Sequence, residues 1–125
     1  DLLPMFTEEN KVAPHNGTFA KTLGRYYRQE GLLDLNTAIK KITLLQAQRL
    51  EKFAPAFRKK GRLQEGADAD LTIFDPLTII DRATYKNPYQ PSKGIHHVIV
   101  NGSFVVRNAE LIEDAFPGKR LSTHD

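Results

Sequence analysis

Residues 98–106, VIVNGSFVV, determine the fold of the second half of this 125-residue chain. Two runs rich in β-branched residues flank Asn101-Gly102, and an Asn-Gly pair is the preferred two-residue turn of a β-hairpin because both residues accept a positive φ. The sequence therefore predicts an antiparallel hairpin here. The strand that enters the turn from Ile95 carries apolar residues at both odd and even positions, so we expect other parts of the protein to cover each of its faces.

Shorter extended segments precede the hairpin. Leu71 to Ile73 reads as a strand closed by Asp75-Pro76, and residues 78–80 read as a second brief extended run. Residues 83–94 contain too many Pro, Asn and Gly residues for regular structure. A sheet of three or four strands is marginal by itself, which indicates that part of the fold lies outside these residues.

Residues 17–53 have helical periodicity, after a segment at 1–17 that reads as a loop. The first helix is predicted to begin at Thr18 as N-cap and to stop at Gly31, which can take a left-handed conformation. Gly24 inside this helix predicts a close backbone approach. The apolar face of the helix is formed by Phe19, Leu23, Tyr26 and Tyr27.

A second helical stretch is predicted to follow in the first half of the chain. It begins near Asn36 as N-cap, is interrupted at Thr43, resumes from Leu44 to Phe53, and cannot pass far beyond Phe53 because of Pro55.

Composition excludes several classes of protein. The chain has no cysteine, which excludes disulfides and thiolate metal sites. No apolar run approaches the ~20 residues of a spanning helix, so we expect no membrane partner and a cytoplasmic location. The net charge is +3. The basic run at residues 58–62 is soon followed by Glu65, Asp68 and Asp70, so a solvated loop is favoured over a phosphate patch, and no nucleic-acid partner is expected.

Candidate chemical groups are few. His96 and His97 are neighbours on a predicted strand, so their side chains project to opposite faces and cannot bind one ion together. We expect a packing role for at least one of them. Asp68 and Asp70 are spaced like part of a calcium loop, but the further acidic positions are missing and a charged strand entry is the preferred interpretation.

Three blocks of sequence carry a family resemblance. GRLQEGADADLTIFD, residues 61–75, resembles the late segment shared across the metal-dependent amidohydrolase superfamily. GTFAKTLGRYYRQEGLL, residues 17–33, and DPLTIIDRATYKNPYQPSKGIHHVIVNG, residues 75–102, are similar to N-acyl-D-amino-acid deacylases, the D-aminoacylase branch. They occur in the order found in the family and are spread over residues 17–102.

The resemblance implies a fold for the parent protein and a place for this chain within it. The parent fold is α/β, a TIM-barrel amidohydrolase with a composite β-sandwich built from both ends of the polypeptide. The chain itself is expected to be α+β, with residues 1–57 forming the end of the barrel and residues 58–125 forming the C-terminal part of the sandwich. The chain opens with Asp1 rather than Met, which indicates a processed product or a piece of a longer protein. The resemblance implies that it is the C-terminal portion, because the family's metal ligands precede the region present here.

The resemblance also implies a chemistry. The parent would use zinc or another divalent metal to hydrolyse an amide bond. The substrate that the resemblance favours is an N-acyl-D-amino acid. Asp1 matches the aspartate that ends the eighth barrel strand, which transfers the proton of the attacking water and contributes to the metal site. His15 lies where relatives place a polar or basic residue near the substrate carboxylate. The other metal ligands precede this chain, so we expect the 125 residues alone to bind no catalytic metal and to be inactive.

Two alternatives stay open at this point. A cyclic amidase, similar to dihydroorotases or hydantoinases, shares the strand motifs and would act on a cyclic amide. A non-catalytic structural or binding module derived from the superfamily would fold alone as a monodisperse species. The favoured interpretation instead predicts that the remainder of the amidohydrolase chain is the main partner, with self-association into a homo-oligomer when that partner is missing.

Overall fold

The computed structural model describes residues 17–121, and their architecture is α+β, with helices first and an antiparallel sheet after them. This confirms the expected fold class of the chain. No helix within the described range is long and apolar enough to cross a bilayer. The helical elements are α1 (Thr18–Lys21), which runs directly into a π-helix (Thr22–Gln29), then α2 (Leu35–Ile42), α3 (Leu44–Leu50) and a 3-10 helix (Pro55–Lys59).

The first helix begins one residue earlier than predicted. Gly17 occupies the N-cap position with a non-helical φ of −107°, and its carbonyl accepts a hydrogen bond from the Lys21 N–H at 2.7 Å. Thr18 is therefore inside the first turn, and its prediction as N-cap was wrong. The helix ends as predicted, since Gly31 adopts a φ of +62°.

Most of this first helix is a π-helix rather than the α-helix that its apolar spacing predicted. Its hydrogen bonds span five residues, as between the Glu30 N–H and the Arg25 carbonyl at 2.9 Å. Such stretches are rare and occur mostly as single turns inside α-helices. The close approach predicted at Gly24 is confirmed, because a Cβ atom there would lie 2.5 Å from the Ile79 carbonyl oxygen.

Asp34, and not Asn36, caps α2. The Asp34 backbone is extended, and its carboxylate accepts hydrogen bonds from the Thr37 N–H at 2.9 Å and the Thr37 hydroxyl at 2.6 Å. These donors lower the pKa of Asp34. Asn36 lies inside the first turn, so its side chain cannot serve as the cap. The predicted break at Thr43 is confirmed, with a non-helical φ of −130° between α2 and α3.

Four antiparallel strands form the sheet in the order β1-β2-β3-β4. Asn101 and Gly102 connect β2 to β3 with φ values of +48° and +78°, which confirms the predicted hairpin turn. The extended run predicted at residues 78–80 is reduced to one bridge between Ile80 and Lys93. The strands are β1 (Leu71–Phe74), β2 (Ile95–Val100), β3 (Ser103–Arg107) and β4 (Glu110–Leu111).

The buried core lies among the helices and the segment that follows β1. Among the described residues, the main cluster of buried side chains consists of Ala20, Leu23, Ala38 and Ile79. Phe74 and Ile95 bring one end of the sheet against this cluster. No residue of the four strands is fully buried. The apolar hairpin side chains stay half-buried, in agreement with the expectation that further parts of the protein cover the sheet.

Candidate functional site

The two residues predicted to take part in chemistry, Asp1 and His15, lie outside the described residues. The described part of the chain begins at Gly17, two residues after His15. Its geometry therefore bears on how the segment that carries Asp1 and His15 joins the rest of the protein.

Residues 17–121 do not supply a metal site by themselves. No group of three or more His, Cys, Asp or Glu side chains is arranged there to hold an ion. A zinc centre needs three or four such ligands. The described residues thus do not fit a catalytic zinc ion without ligands from elsewhere.

His97 is engaged in packing, as predicted for at least one of the two neighbouring histidines. Its ring meets the Phe104 ring edge to face, with centroids 5.6 Å apart, and its Nδ1 accepts a hydrogen bond from the Asn108 N–H at 3.2 Å. The Arg107 guanidinium lies 5.2 Å from the centre of the same Phe104 ring. His96 is exposed, and its carbonyl accepts from the Ala109 N–H at 2.8 Å.

Asp68 and Asp70 form a charged strand entry, which was the preferred interpretation of this pair. The Lys60 ammonium bridges both carboxylates, at 3.0 Å from Asp68 and closer still to Asp70. Asp70 also accepts from the Asn101 N–H at 2.8 Å, which ties the start of β1 to the hairpin turn.

The same contacts shift two pKa values. Partial burial alone would raise the pKa of Asp70, but the Asn101 N–H and the Lys60 ammonium lower it below its ordinary value. Partial burial alone would lower the pKa of Lys60, but its two carboxylate partners raise it.

The basic run at residues 58–62 is only partly paired within the structure, since Lys60 and Arg62 face carboxylates whereas Arg58 and Lys59 are exposed. Lys60 is paired with the two aspartates, and the Arg62 guanidinium lies 2.9 Å from the Glu51 carboxylate. A shallow cleft of about 440 Å³ remains beside the run. Because Lys60 and Arg62 already face carboxylates, these contacts favour a structural role over phosphate binding.

Ile79 joins the helical part to the sheet. Its side chain is only 2 % exposed, and its carbonyl accepts a hydrogen bond from the Arg28 guanidinium at 2.6 Å. Gly24 and Gly94 lie on either side, since a Cβ atom on either glycine would come within 2.5 Å of Ile79 backbone atoms. Arg28 also donates to the Pro76 carbonyl at 3.1 Å. We call Gly24, Arg28, Ile79 and Gly94 the Ile79 joint.

Asp81 lies directly against Gly17. A Cβ atom on Gly17 would overlap with the Asp81 carboxylate, so this side chain would have to shift to admit a larger residue there. Asp81 Oδ1 accepts from the Ala83 N–H at 2.8 Å, which holds the side chain in a turn.

Sequence reasoning did not single out Arg28, Ile79 or Asp81. The one signal that pointed to them was Gly24, which predicted a close approach without naming the other partner. A carbonyl 55 residues farther along the chain leaves no local pattern, so the partner could not be read from spacing.

Comparison with known proteins shows which family the chain resembles. Residues 10–106 match the family described as the amidohydrolase family. A D-aminoacylase of Alcaligenes xylosoxydans xylosoxydans is 43 % identical over 103 residues, which are 82 % of this chain and 19 % of that protein. An N-acyl-D-glutamate deacylase of the same organism is 45 % identical over 103 residues, covering 80 % of this chain and 20 % of that protein.

A solved structure gives the same result. The N-acyl-D-glutamate deacylase of Bordetella bronchiseptica, complexed with zinc and a phosphonate inhibitor that mimics the reaction's tetrahedral intermediate, aligns with a TM-score of 0.62 and 44 % identity. The alignment covers 69 % of this chain and 17 % of that one. The chain thus spans about a fifth of the length of the curated relatives it matches.

Proposed function

Because this chain belongs to the amidohydrolase family, we propose that it is the C-terminal part of a metal-dependent hydrolase that releases the amine of N-acyl-D-amino acids. The observation that carries the proposal is the identity of 43–45 % to D-aminoacylase and N-acyl-D-glutamate deacylase across four fifths of the chain. The same similarity favours deacylation of a linear amide over the ring opening of a cyclic one.

The proposed architecture of the parent is a TIM barrel with a composite β-sandwich. Residues 1–57 would close the barrel and residues 58–125 would complete the sandwich, a boundary that stays a prediction. Large apolar side chains on the described surface support a covering partner in the rest of the chain, with exposures of 73 % for Phe53, 89 % for Leu63 and 78 % for Leu77. Self-association and a cytoplasmic location also stay predictions.

Asp1 is the proposed catalytic carboxylate and His15 the proposed contact of the substrate carboxylate. A carboxylate within reach of the attacking water can take its proton and pass it to the leaving amine. An imidazole at His15 would recognise the α-carboxylate through a hydrogen bond or charge. Both assignments come from the resemblance of their sequence positions to the family.

The proposed cofactor is zinc or another divalent ion. The ion supplies polarisation of the amide carbonyl when it is bound. Asp1 would contribute to its site together with residues that precede this chain.

The test is hydrolysis by the full-length protein. We expect release of amine from an N-acetyl-D-amino acid, little from the L-enantiomer, and loss of turnover after removal of the metal by a chelator. Turnover of a dihydropyrimidine but of no N-acyl-D-amino acid would replace the proposal with the cyclic amidase. The isolated 125 residues should be inactive and self-associated; a monodisperse species that unfolds cooperatively would favour the stand-alone module.

A second measurement tests the role of Asp1. The Asp1→Asn variant keeps the size of the side chain but removes its basicity, so kcat should fall by about 100-fold or more. The Glu113→Gln variant, which neutralises an exposed carboxylate, is the matched control and should retain activity. An Asp1→Asn variant with the kcat of the wild type would remove Asp1 from the mechanism.

A further inference from the structure

The turn between β3 and β4 has a backbone conformation that one of its residues does not favour. Asn108 and Ala109 form the turn with φ values of +53° and +65°. The residues on either side of it, Arg107 and Glu110, are strand partners. The second position of such a two-residue turn is normally glycine, because a Cβ atom disfavours a positive φ. Ala109 therefore makes the turn dependent on contacts from outside it.

Two hydrogen bonds to β2 supply these contacts. The Ala109 N–H donates to the His96 carbonyl at 2.8 Å. The Asn108 N–H donates to His97 Nδ1 at 3.2 Å. The first acceptor is a backbone oxygen, which keeps its lone pairs at every pH. The second is a ring nitrogen, which accepts a hydrogen bond only while it carries no proton.

The surroundings of His97 do not compensate for a positive charge on its ring. Its partner on β1 is the apolar Ile73. On β3 the ring packs against Phe104, and the Arg107 guanidinium already lies 5.2 Å from the centre of that same ring. Glu110 of β4 is the strand partner of Arg107. Within residues 17–121, no carboxylate forms an ion pair with His97.

We propose that His97 is a pH-sensitive switch for the turn between β3 and β4. The neutral ring accepts the Asn108 N–H and holds the turn against β2. When Nδ1 takes up a proton, it becomes a donor that faces another donor, and the hydrogen bond is lost. The turn then opens and loosens β4, which exposes the outer edge of β3 to pairing with another strand. The proposal does not depend on the proposed function, because it uses only contacts within the sheet.

The experiment is amide hydrogen exchange in the full-length protein at about pH 5.5 and about pH 7.5, a range in which histidine titrates and carboxylates stay charged. Each rate is divided by the intrinsic rate at the same pH, so that only structural protection is compared. In the wild type, protection of residues 108–112 should fall by about fivefold at the lower pH, as expected for the loss of one hydrogen bond. Protection of Gly102, whose N–H donates to the Ala69 carbonyl at 3.0 Å, should stay the same.

Two variants separate His97 from its neighbour. His97→Asn places a neutral carbonyl oxygen near the position of Nδ1, so protection of the turn should be equal at both pH values. His96→Asn is the matched control and should keep the wild-type pH dependence, because His96 contacts the turn through its backbone. The His96 side chain instead interacts electrostatically with Asp75, which follows β1. If His97→Asn does not fold, His97→Gln takes its place with the same expectation.

Two results would overturn the proposal. Equal protection of residues 108–112 at both pH values in the wild type would show that protonation does not open the turn. A pH dependence that persists without the His97 imidazole, or that disappears in His96→Asn, would assign the effect to another group.

Discussion

The helical part and the sheet of this chain bury their apolar residues to very different extents. Five of the six buried hydrophobic residues among those described belong to residues 17–54, and all but one of these five are alanines. The sixth is Ile79, in the segment between β1 and β2. Small side chains let the helices approach one another closely enough to complete a core. The Val, Ile and Phe side chains of the sheet are only half-buried. Such partial burial is typical of a sheet face against which another layer of the protein packs.

The difference indicates which part of the chain holds its own structure. The helices and the Ile79 joint complete one another, whereas the sheet depends on what packs against its faces. The next three predictions test this contrast, beginning with the largest expected effect.

Truncation of Ile79 should cost far more than truncation of an isoleucine in the sheet. Ile79 is 2 % exposed and Ile73 is 46 % exposed. We expect Ile79→Ala to lower the free energy of unfolding by about 3 kcal/mol, and Ile73→Ala by about 1 kcal/mol at its exposure in the described structure, as measured by urea unfolding of the full-length protein.

The cost of Ile73→Ala in the full-length protein also tests whether another layer covers the sheet. If one does, this cost should rise to about 2 kcal/mol or more, while that of Ile79→Ala stays the same. A cost of about 1 kcal/mol at Ile73 would mean that its face of the sheet remains open in the complete protein.

Gly24→Ala should destabilise the protein, although alanine normally favours helices. The general preference for alanine in a helix is about 1 kcal/mol. Here the added methyl group would lie 2.5 Å from the Ile79 carbonyl oxygen and 3.0 Å from the Ile80 Cα, so we expect a net loss of about 2 kcal/mol. Gly118→Ala, where the added atom meets nothing within 4 Å, should change stability by less than about 0.5 kcal/mol in the same measurement.

The smallest predicted effect concerns pH. The pKa of Asp70 is lowered from its ordinary 3.8, so the folded state binds fewer protons than the unfolded one. Its contribution to stability is therefore present above the unfolded pKa and is lost as the pH falls through the folded pKa. The raised pKa of Lys60 acts in the opposite sense: its contribution is lost as the pH rises above 10.5 through the folded pKa.

The Asp70→Asn variant isolates the contribution of the Asp70 carboxylate to the free energy of unfolding. We expect it to be less stable than the wild type by about 1 kcal/mol at pH 7, and the gap to close as the pH falls below 3.8 and through the lowered pKa of folded Asp70. Urea midpoints across this range measure the gap. Asp34 and Asp75, whose pKa values are also lowered by local donors, affect both proteins alike. A gap that stays constant with pH would show that the Lys60–Asp70 pair does not carry the effect.

Local chemistry explains which elements the sequence could predict. The Asn101-Gly102 pair specifies a hairpin turn by itself, and Asp75-Pro76 ends β1. The hairpin turn and the end of β1 were therefore predicted correctly. The helix starts were misplaced because Asp34 competes with Asn36, and Gly17 with Thr18, for the same cap positions. The π-helix was missed because such stretches are rare and the apolar spacing of this segment predicted an ordinary α-helix.

The candidate site, like the fold, was predicted only in part from the sequence. The resemblance of residues 61–75 to amidohydrolases predicted the family, and the comparisons confirm it. The roles of Asp1 and His15 stay predictions, since both lie outside the described residues. Asp81 could not be found from sequence because its relation to Gly17 is a contact across 64 positions, and no motif spans that distance.

The π-helix also constrains the number of residues in this part of the chain. It holds more residues in each turn than an α-helix does, because its hydrogen bonds join residues five positions apart. A one-residue deletion between Gly24 and Arg28 should restore α-helical hydrogen bonding. It would also shift the Arg28 guanidinium relative to Gly24, so that the two could no longer contact the Ile79 carbonyl together. Many substitutions should be accepted along the exposed side of this helix, but a change of length by a single residue should not.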